Sequence, residues 1–219
     1  MPKGSEELTN ARKEEIVSAC ASLYESRSFR DITIREIGEK TSFTRTSIYN
    51  YFQTKEEIFL ALLQREHELW IGDLEQILQK DRPLSAEELA RELAAALERR
   101  GCMLKLMSMN IYDMEINSRL ENLAAFKKVY RKALEQVTLC LEKFVPRMGR
   151  TDREDFVFTF FPFLFGVYPY TNHTEKQLEA MKLAQVETPE CTVFGMIRSF
   201  VLKLLKPFEE GRNTADRAQ

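Results

Sequence analysis

Three helix-start signals, spaced ten or eleven residues apart, constrain the fold more than any other feature of this sequence. Thr33 and Glu36 have the spacing of a capping box, Thr44 repeats the threonine, and Thr54 with Glu57 forms another box. This spacing leaves about eight residues for each of the first two helices, and isolated helices of that length are marginal in water. The two helices must therefore pack on each other and on the preceding helix, which predicts a helix-turn-helix.

Apolar residues stand where this packing needs them. Phe43 and Ile48 flank the second start signal at the positions of a hydrophobic staple, and Ile37 and Phe52 extend the apolar set. With Ile48 and Phe52 turned inward, the second short helix exposes a polar face that carries no acidic side chain. That face comprises Arg45, Thr46, Tyr49, Asn50 and Gln53, with the Ser47 hydroxyl near the helix start.

These side chains suit contact with double-stranded DNA. Arg45 can bind guanine through two hydrogen bonds, Thr46 and Ser47 can contact bases, and Tyr49 and Lys55 can hold phosphate oxygens. From Lys40 to Lys55, both included, the chain has three basic residues and no acidic one. The polar face therefore predicts a recognition helix.

The stretch ITIREIGEKTSFTRTSIYNYFQTKEEIF resembles the DNA-binding signature of the tetracycline-repressor (TetR) family of bacterial regulators. The segment Tyr49–Phe52 followed by Lys-Glu-Glu is its most specific part, and the resemblance covers about the first 60 residues. It implies a homodimer that represses transcription and leaves its palindromic operator when a small molecule enters the C-terminal domain. It also implies that eight residues lie at or near DNA: Thr33, Arg45, Thr46, Ser47, Tyr49, Asn50, Tyr51 and Lys55.

Two residues depart from the usual family pattern. Ser42 occupies a turn position where the family usually has Gly, so either the turn differs slightly or a left-handed serine costs on the order of 1 kcal/mol. Gly38 replaces the usual Ala in the first short helix, at a cost of about 0.5–1 kcal/mol unless it allows closer packing. Neither departure removes a DNA-contacting group.

The remainder of the chain also has helical periodicity. We predict an all-α protein of about nine helices, with a DNA-binding domain over residues 1–55 and a larger ligand-binding and dimerisation domain over 56–219. A first helix is expected at about 10–26 with Thr9 as N-cap, and a long helix begins near Lys55 and ends before Pro83. We also predict helix starts at the Ser85/Glu88 box, at Thr151 with Glu154, and at Thr188 with Pro189. Gly101 is predicted to end a helix, and residues 103–114 and 120–144 are predicted to be helical.

The segment Phe156–Tyr170 holds eight of the 23 aromatic residues of the chain. One interpretation is that these rings form core and dimer packing. The other is that some line an effector cavity together with methionines, which suit a hydrophobic or aromatic ligand. The candidate lining residues are Trp70, Met103, Met107, Asn110, Phe126, Tyr130, Phe163 and Tyr168.

The last helix and the aromatic helix are candidates for a four-helix interface between two subunits, with an intramolecular helix pair as the alternative. Such a dimer presents two recognition helices to a palindromic operator.

Composition narrows the function classes. The 219 residues hold 32 basic and 34 acidic side chains, with a net charge of −2 and a pI near 5.9. This balance argues against a uniformly basic nucleic-acid coat but leaves local DNA binding open. The four scattered cysteines predict reduced thiols, and we expect a cytoplasmic protein with no signal peptide, membrane span, metal site or cofactor.

Two other functions stay open from sequence alone. One is a DNA-binding dimer whose C-terminal domain serves assembly or protein partners, without a ligand. A helical enzyme with an aromatic pocket is a remoter alternative, because no phosphate loop, metal motif or serine elbow is present. Activation rather than repression of transcription also stays open.

Overall fold

The computed structural model describes residues 3–42, 44–187 and 189–209, except for the side chains of residues 3–5 and 45. The described residues form ten α-helices and a 3₁₀ turn, with no strand, which confirms the predicted all-α class. The helices are α1 (Lys3–Tyr24), α2 (Ile34–Glu39), α3 (Arg45–Ile48), α4 (Lys55–Leu78), α5 (Ala86–Glu98), α6 (Gly101–Ile116), α7 (Leu120–Phe144), α8 (Arg150–Thr171), α9 (Glu175–Leu183) and α10 (Val193–Glu209).

The chain packs as two compact units. The first unit contains residues 1–67 and 109–130, and the second contains residues 68–108 and 131–219. Helices α4, α6 and α7 each contribute residues to both units. These packing units do not coincide with the predicted functional boundary at residue 55, which stays a prediction.

The first unit has an aromatic and aliphatic core. Phe59 of α4 lies edge-on to Tyr24 of α1, with ring centroids 5.2 Å apart, and to Phe29, at 4.7 Å. Ile37 of α2 and Ile48 of α3 are both fully buried. Because α2 and α3 each bury isoleucine and contact each other, they form the predicted helix-turn-helix.

A buried histidine lies in the same unit. The Nδ1 atom of His67 is 2.9 Å from the Leu63 carbonyl oxygen, and its ring lies edge-on to Phe126 at 5.4 Å. Burial lowers the pKa of His67 to about 4, the Leu63 contact opposes this shift, and the positive charge of Lys127 adds to it. His67 is therefore neutral at pH 7.

The second unit is built around longer apolar helices. Helix α10 packs on α5 and α8, and Trp70 packs against Phe161 with ring centroids 5.6 Å apart. Asp73 is nearly buried and pairs with Arg99 (3.1 Å) and Arg100 (2.8 Å). These contacts neutralise a carboxylate that would be costly to bury alone.

Several predicted boundaries are confirmed. Helix α4 begins at Lys55, α7 covers Leu120–Phe144, and the 103–114 segment lies within α6. The Ser85/Glu88 capping box forms, with the Ser85 hydroxyl accepting from the Glu88 N–H at 3.2 Å. The four cysteines, all in described residues, carry thiols rather than disulfides.

Other boundary predictions are wrong. Thr9 lies inside α1, which begins at Lys3, and Gly101 begins α6 instead of ending α5. Helix α8 begins after Gly149, whose N–H donates to Asp152 at 2.9 Å, and not at a Thr151/Glu154 box. Thr192 caps the last helix by accepting from the Gly195 N–H at 3.0 Å. The predicted start at Thr188 lies outside the described residues.

Helix α9 was not predicted from the sequence. Its capping box, Thr174 and Gln177, has the same spacing as the boxes that predicted other helices, so the signal was present. The helix buries none of its residues, which explains why it has no strong apolar periodicity. Across the described ranges, no helix is both long and apolar enough to cross a membrane.

Candidate nucleic-acid interface

Helix α3 presents the polar face that the sequence predicts. Thr46, Tyr49 and Asn50 are exposed, and Ser47 is half-buried, while Ile48 turns into the core. Arg45 is the first residue of α3, and its side chain lies outside the described atoms. The predicted base-contacting residues therefore share one four-residue helix and the turn that follows it.

The turn before α3 is fixed by α1. Both the N–H and the hydroxyl of Ser42 donate to the Glu15 carboxylate, the hydroxyl at 3.0 Å. Ser42 does not adopt a positive φ; of the non-glycine residues in the described ranges, Gln185 has one. Of the two sequence-based alternatives, the structure therefore supports a turn that differs from a glycine turn and not a left-handed serine.

Tyr51 is brought beside a basic residue that sequence reasoning missed. The Arg12 Nη1 donates to the Tyr51 hydroxyl at 2.9 Å, across 39 residues of sequence. Arg12 is exposed on α1, so its guanidinium retains donors for a phosphate near Tyr51. A contact between residues this far apart has no local signal in the sequence.

Thr33 and Lys55, two other predicted DNA contacts, have structural partners. The Thr33 hydroxyl accepts from the Glu36 N–H (3.3 Å) and donates to the Glu36 carboxylate (2.7 Å). The Lys55 Nζ donates to the Phe29 carbonyl oxygen at 2.8 Å and lies 4.2 Å from the Phe29 ring centroid. Both residues therefore stabilise the helix-turn-helix whether or not they also touch DNA.

The carboxylate of Glu36 is strongly stabilised in its charged form. Hydrogen bonds from the Thr33 hydroxyl and from Arg27, and then from the Thr33 N–H, lower its pKa to about 2. Arg27 lies 2.9 Å from Glu36. Arg27 therefore balances the negative charge of Glu36 on α2. Helix α3 and the turn that follows it contain only basic and uncharged residues.

The predicted effector residues divide between the two units. Asn110, Phe126 and Tyr130 belong to the first unit, where the Tyr24 hydroxyl donates to Asn110 Oδ1 at 3.2 Å. Burial raises the pKa of Tyr130, so its hydroxyl stays protonated at neutral pH. Phe126 lies against the ring of His67.

The other five predicted effector residues belong to the second unit: Trp70, Met103, Met107, Phe163 and Tyr168. Trp70, Met103 and Met107 are buried in its core. Phe163 stacks on Phe200 at 3.8 Å and borders an open cavity of about 370 Å³, which also contacts Met196. The assignment of these residues to an effector pocket stays a prediction.

These features define a class of protein. Helix α2 packs on α1 and on α3, and α3 presents polar side chains to solvent. These are the parts of a helix-turn-helix DNA-binding protein.

Comparison with known families identifies the particular family. Residues 16–62 match the model described as "Bacterial regulatory proteins, tetR family", and residues 64–204 match "Tetracyclin repressor-like, C-terminal domain". The chain belongs to the TetR family of bacterial transcriptional regulators. It is therefore a DNA-binding regulator and not an enzyme.

Curated relatives support this membership. The chain is 31% identical over 86 residues to the HTH-type transcriptional regulator YdgC of Bacillus subtilis. These 86 aligned residues cover 39% of this chain and 44% of YdgC. The chain is 26% identical over 77 residues to the HTH-type transcriptional regulator RutR of Escherichia coli K12, which covers 35% of this chain and 36% of RutR. Each match therefore spans less than half of the relative.

Solved structures share the fold over most of the chain. A TetR-family regulator from Mesorhizobium loti has a TM-score of 0.60 and 17% identity, covering 93% of this chain and 97% of that one. The fatty acid degradation regulator FadR from Bacillus halodurans has a TM-score of 0.57 and 14% identity, covering 89% and 94%.

Proposed function

We propose that this protein is a dimeric repressor that binds a palindromic operator through α3 and leaves it when a small apolar molecule binds. The observation that carries the proposal is the face of α3, where Thr46, Tyr49 and Asn50 are exposed and no acidic residue is present on the helix. Such a regulator works where the operator DNA lies, in the bacterial cytoplasm.

Arg45 is the residue expected to read sequence. Its position at the start of α3 suits two hydrogen bonds to guanine in the major groove. Thr46 and Ser47 would contact neighbouring bases, while Tyr49, Tyr51 and Lys55 would contact the phosphate backbone. Arg12, beside the Tyr51 hydroxyl, extends this phosphate-binding set.

The DNA-binding proposal is tested with a duplex that the wild-type protein selects from a randomised pool. Arg45→Ala should weaken binding to the selected duplex by about 1–3 kcal/mol and relax its discrimination against a shuffled duplex. Arg35→Ala is the matched control, because Arg35 is 73% exposed on α2 and pairs with Glu39 on its own helix. Equal losses for both variants on both duplexes would refute the assigned role.

The dimer is proposed to form through α8 and α10, which pack together in the second unit. Phe158 on α8 is 74% exposed, so its ring is available for contact with a second subunit. Phe158→Asp should convert the dimer to a monomer in sedimentation velocity. Tyr112→Asp is the control, since Tyr112 is equally exposed but lies on α6.

Release by an effector is proposed as a shift between two populated conformations. Helix α4 is one continuous helix with residues in both units. A ligand that shifts one end of α4 would therefore also shift its other end. This change would move the two recognition helices away from a separation of roughly 34–36 Å, one turn of DNA.

A panel of a fatty acid, an acyl-coenzyme A and an aromatic carboxylate tests the effector step. A compound that binds and releases the selected duplex supports the proposal. A liganded structure with unchanged spacing of the recognition helices contradicts this mechanism. Retention of the duplex under every compound that binds would favour a ligand-independent DNA-binding dimer.

A further inference from the structure

The first unit includes a segment that lies far outside the helix-turn-helix in sequence. Residues 109–130 pack with residues 1–67, although they fall within the match to the C-terminal domain of the family. Asn110 accepts a hydrogen bond from Tyr24 of α1, and the α6–α7 connection reaches the turn that follows α3.

Arg119 makes the most extensive of these contacts. Its Nε lies 2.6 Å from Oε1 of Glu57 and its Nη2 lies 2.9 Å from Oε2, so the guanidinium grips both oxygens. The Arg119 backbone N–H also donates to Oε1 at 3.0 Å. A bidentate arginine–carboxylate pair of this kind fixes geometry as well as contributing energy.

The Glu57 side chain is fully buried, whereas that of Arg119 is 34% exposed, so the carboxylate of the pair is shielded from solvent. Burial alone would raise its pKa, but hydrogen bonds from the Arg119 side chain and from the N–H groups of Gln53 and Arg119 hold the pKa below its usual value. Removing Arg119 would leave a buried carboxylate without its main counter-charge, which is strongly unfavourable.

The same cluster holds the turn between α3 and α4. The Arg119 Nη2 donates to the Tyr51 carbonyl oxygen at 3.2 Å, and the Gln53 N–H donates to Glu57 at 2.7 Å. The Thr54 hydroxyl donates to the Asn117 carbonyl oxygen at 3.0 Å. Three positions of the turn, 51, 53 and 54, are therefore fixed by residues 57, 117 and 119.

Helix α3 depends on such support. It has four residues, and its N-cap residue Thr44 makes no side-chain bond to the helix backbone. A helix of this length has no stability of its own in water. Its orientation follows from buried Ile48 on one side and from the fixed turn at its C-terminal end.

We propose that Arg119 is a positioning residue for DNA recognition: through Glu57 and the Tyr51 carbonyl it fixes the α3–α4 turn and, with it, the orientation of α3. This inference rests on the proposed operator binding for its functional consequence. The structural part of the proposal, that Arg119 fixes the α3–α4 turn and the orientation of α3, is measurable without DNA.

Hydrogen exchange of the full-length protein gives the first test. Arg119→Gln should accelerate exchange at the amides of Asn50, Tyr51 and Phe52 about tenfold, because the turn opens more often. The amides of Ile37 and Lys40 in and after α2 should change less than about twofold. Equal acceleration at both helices would show general loosening and overturn the proposal.

Two further variants keep the test decisive. Arg119→Lys retains the charge but loses the bidentate grip, so it should fall between wild type and Arg119→Gln, and it serves if the glutamine variant does not fold. Arg131→Gln is the matched control on α7, since Arg131 is 73% exposed and pairs with Glu135 on its own helix. It should behave as wild type.

The functional test uses the duplex selected by the wild-type protein, measured below the unfolding temperature of each variant. Arg119→Gln should weaken binding to that duplex about tenfold and binding to a shuffled duplex less than about twofold. Glu57→Gln combined with Arg119→Gln should be no worse than Arg119→Gln alone, because the two groups act together.

The outcomes separate this inference from the proposed function. If wild type selects no duplex, operator binding fails while the exchange test still decides the role of Arg119. If wild type binds its duplex and Arg119→Gln binds it equally well, the positioning role is wrong and the pair serves stability only.

Discussion

The two short helices of the helix-turn-helix are stabilised in different ways. Helix α2 begins with a complete capping box between Thr33 and Glu36, and Arg27 adds an ion pair to Glu36 at 2.9 Å. Helix α3 has no side-chain cap hydrogen bond at Thr44, whose hydroxyl instead lies 3.2 Å from the Ser47 hydroxyl.

This difference shows where each helix obtains its order. The contacts that start α2 lie within ten residues of sequence, whereas α3 is held by Ile48 in the core and by a turn tied to Arg119, 68 residues beyond Tyr51. The helix that carries the predicted DNA contacts therefore depends on the rest of the first unit. The N-cap residue of α3 makes no side-chain hydrogen bond to the helix backbone, and the polar side chains of α3 remain available for contacts with DNA.

The largest effect is expected when the core anchor of α3 is removed. Ile48→Ala should destabilise the protein by about 2–5 kcal/mol, since the deleted groups are fully buried. Ile37→Ala provides the comparison in α2, with a cost in the same range by urea unfolding. Hydrogen exchange should distinguish them, because the capping box keeps α2 partly protected, whereas α3 loses its protection. Equal loss of protection would break the comparison.

An intermediate effect is expected from acid, which acts on buried His67 in the first unit. The unfolded histidine has a pKa near 6.5, while that of folded His67 is about 4, so the unfolded state takes up the proton first. Stability is therefore complete above about pH 6.5 and falls as the pH drops toward 4. Between pH 7 and 5 the loss should be about 2 kcal/mol.

The surroundings of His67 do not offset this loss. Leu63 offers a carbonyl from α4, and α7 presents Phe126, Tyr130 and the cationic Lys127. His67→Leu should flatten the stability profile between pH 7 and 5 in urea unfolding. An unchanged slope in that variant would assign the pH dependence to other groups.

The smallest effects come from the two N-caps and sharpen the comparison most directly. Thr33→Ala should cost about 1 kcal/mol, because its hydroxyl accepts from the Glu36 N–H. Thr44→Ala should cost only about 0.3 kcal/mol, since no cap bond is lost. Thermal unfolding measures both, and equal costs would mean that Thr44 caps α3 in solution.

The sequence predicts those parts of the molecule that local chemistry decides. The Thr33/Glu36 and Ser85/Glu88 boxes, the start of α4 and the extent of α7 follow from residues close together in the chain. For the same reason, the polar face of α3 is predictable, because Ile48 and Phe52 must turn inward.

The contacts between distant residues are not predictable in this way. Neither the Arg12–Tyr51 hydrogen bond nor the Arg119–Glu57 pair has a local signal. Half of the predicted Thr54/Glu57 box forms, because the Glu57 N–H donates to the Thr54 hydroxyl at 3.1 Å, whereas the Glu57 carboxylate accepts from the Gln53 N–H and from Arg119. Periodicity likewise does not distinguish a ring that packs in a core from one that lines a cavity. The predicted effector residues therefore fall in two different packing units.

The central claim is that α3 of this regulator reads a specific DNA sequence. Fluorescence anisotropy of the full-length protein with its selected duplex and with a shuffled duplex tests it directly. We expect the selected duplex to bind at least about 10³-fold more tightly, with affinity falling steeply as salt rises. Arg45→Ala should narrow the difference between the duplexes by about 1–3 kcal/mol. Equal wild-type affinity for both duplexes at every salt concentration would contradict the claim.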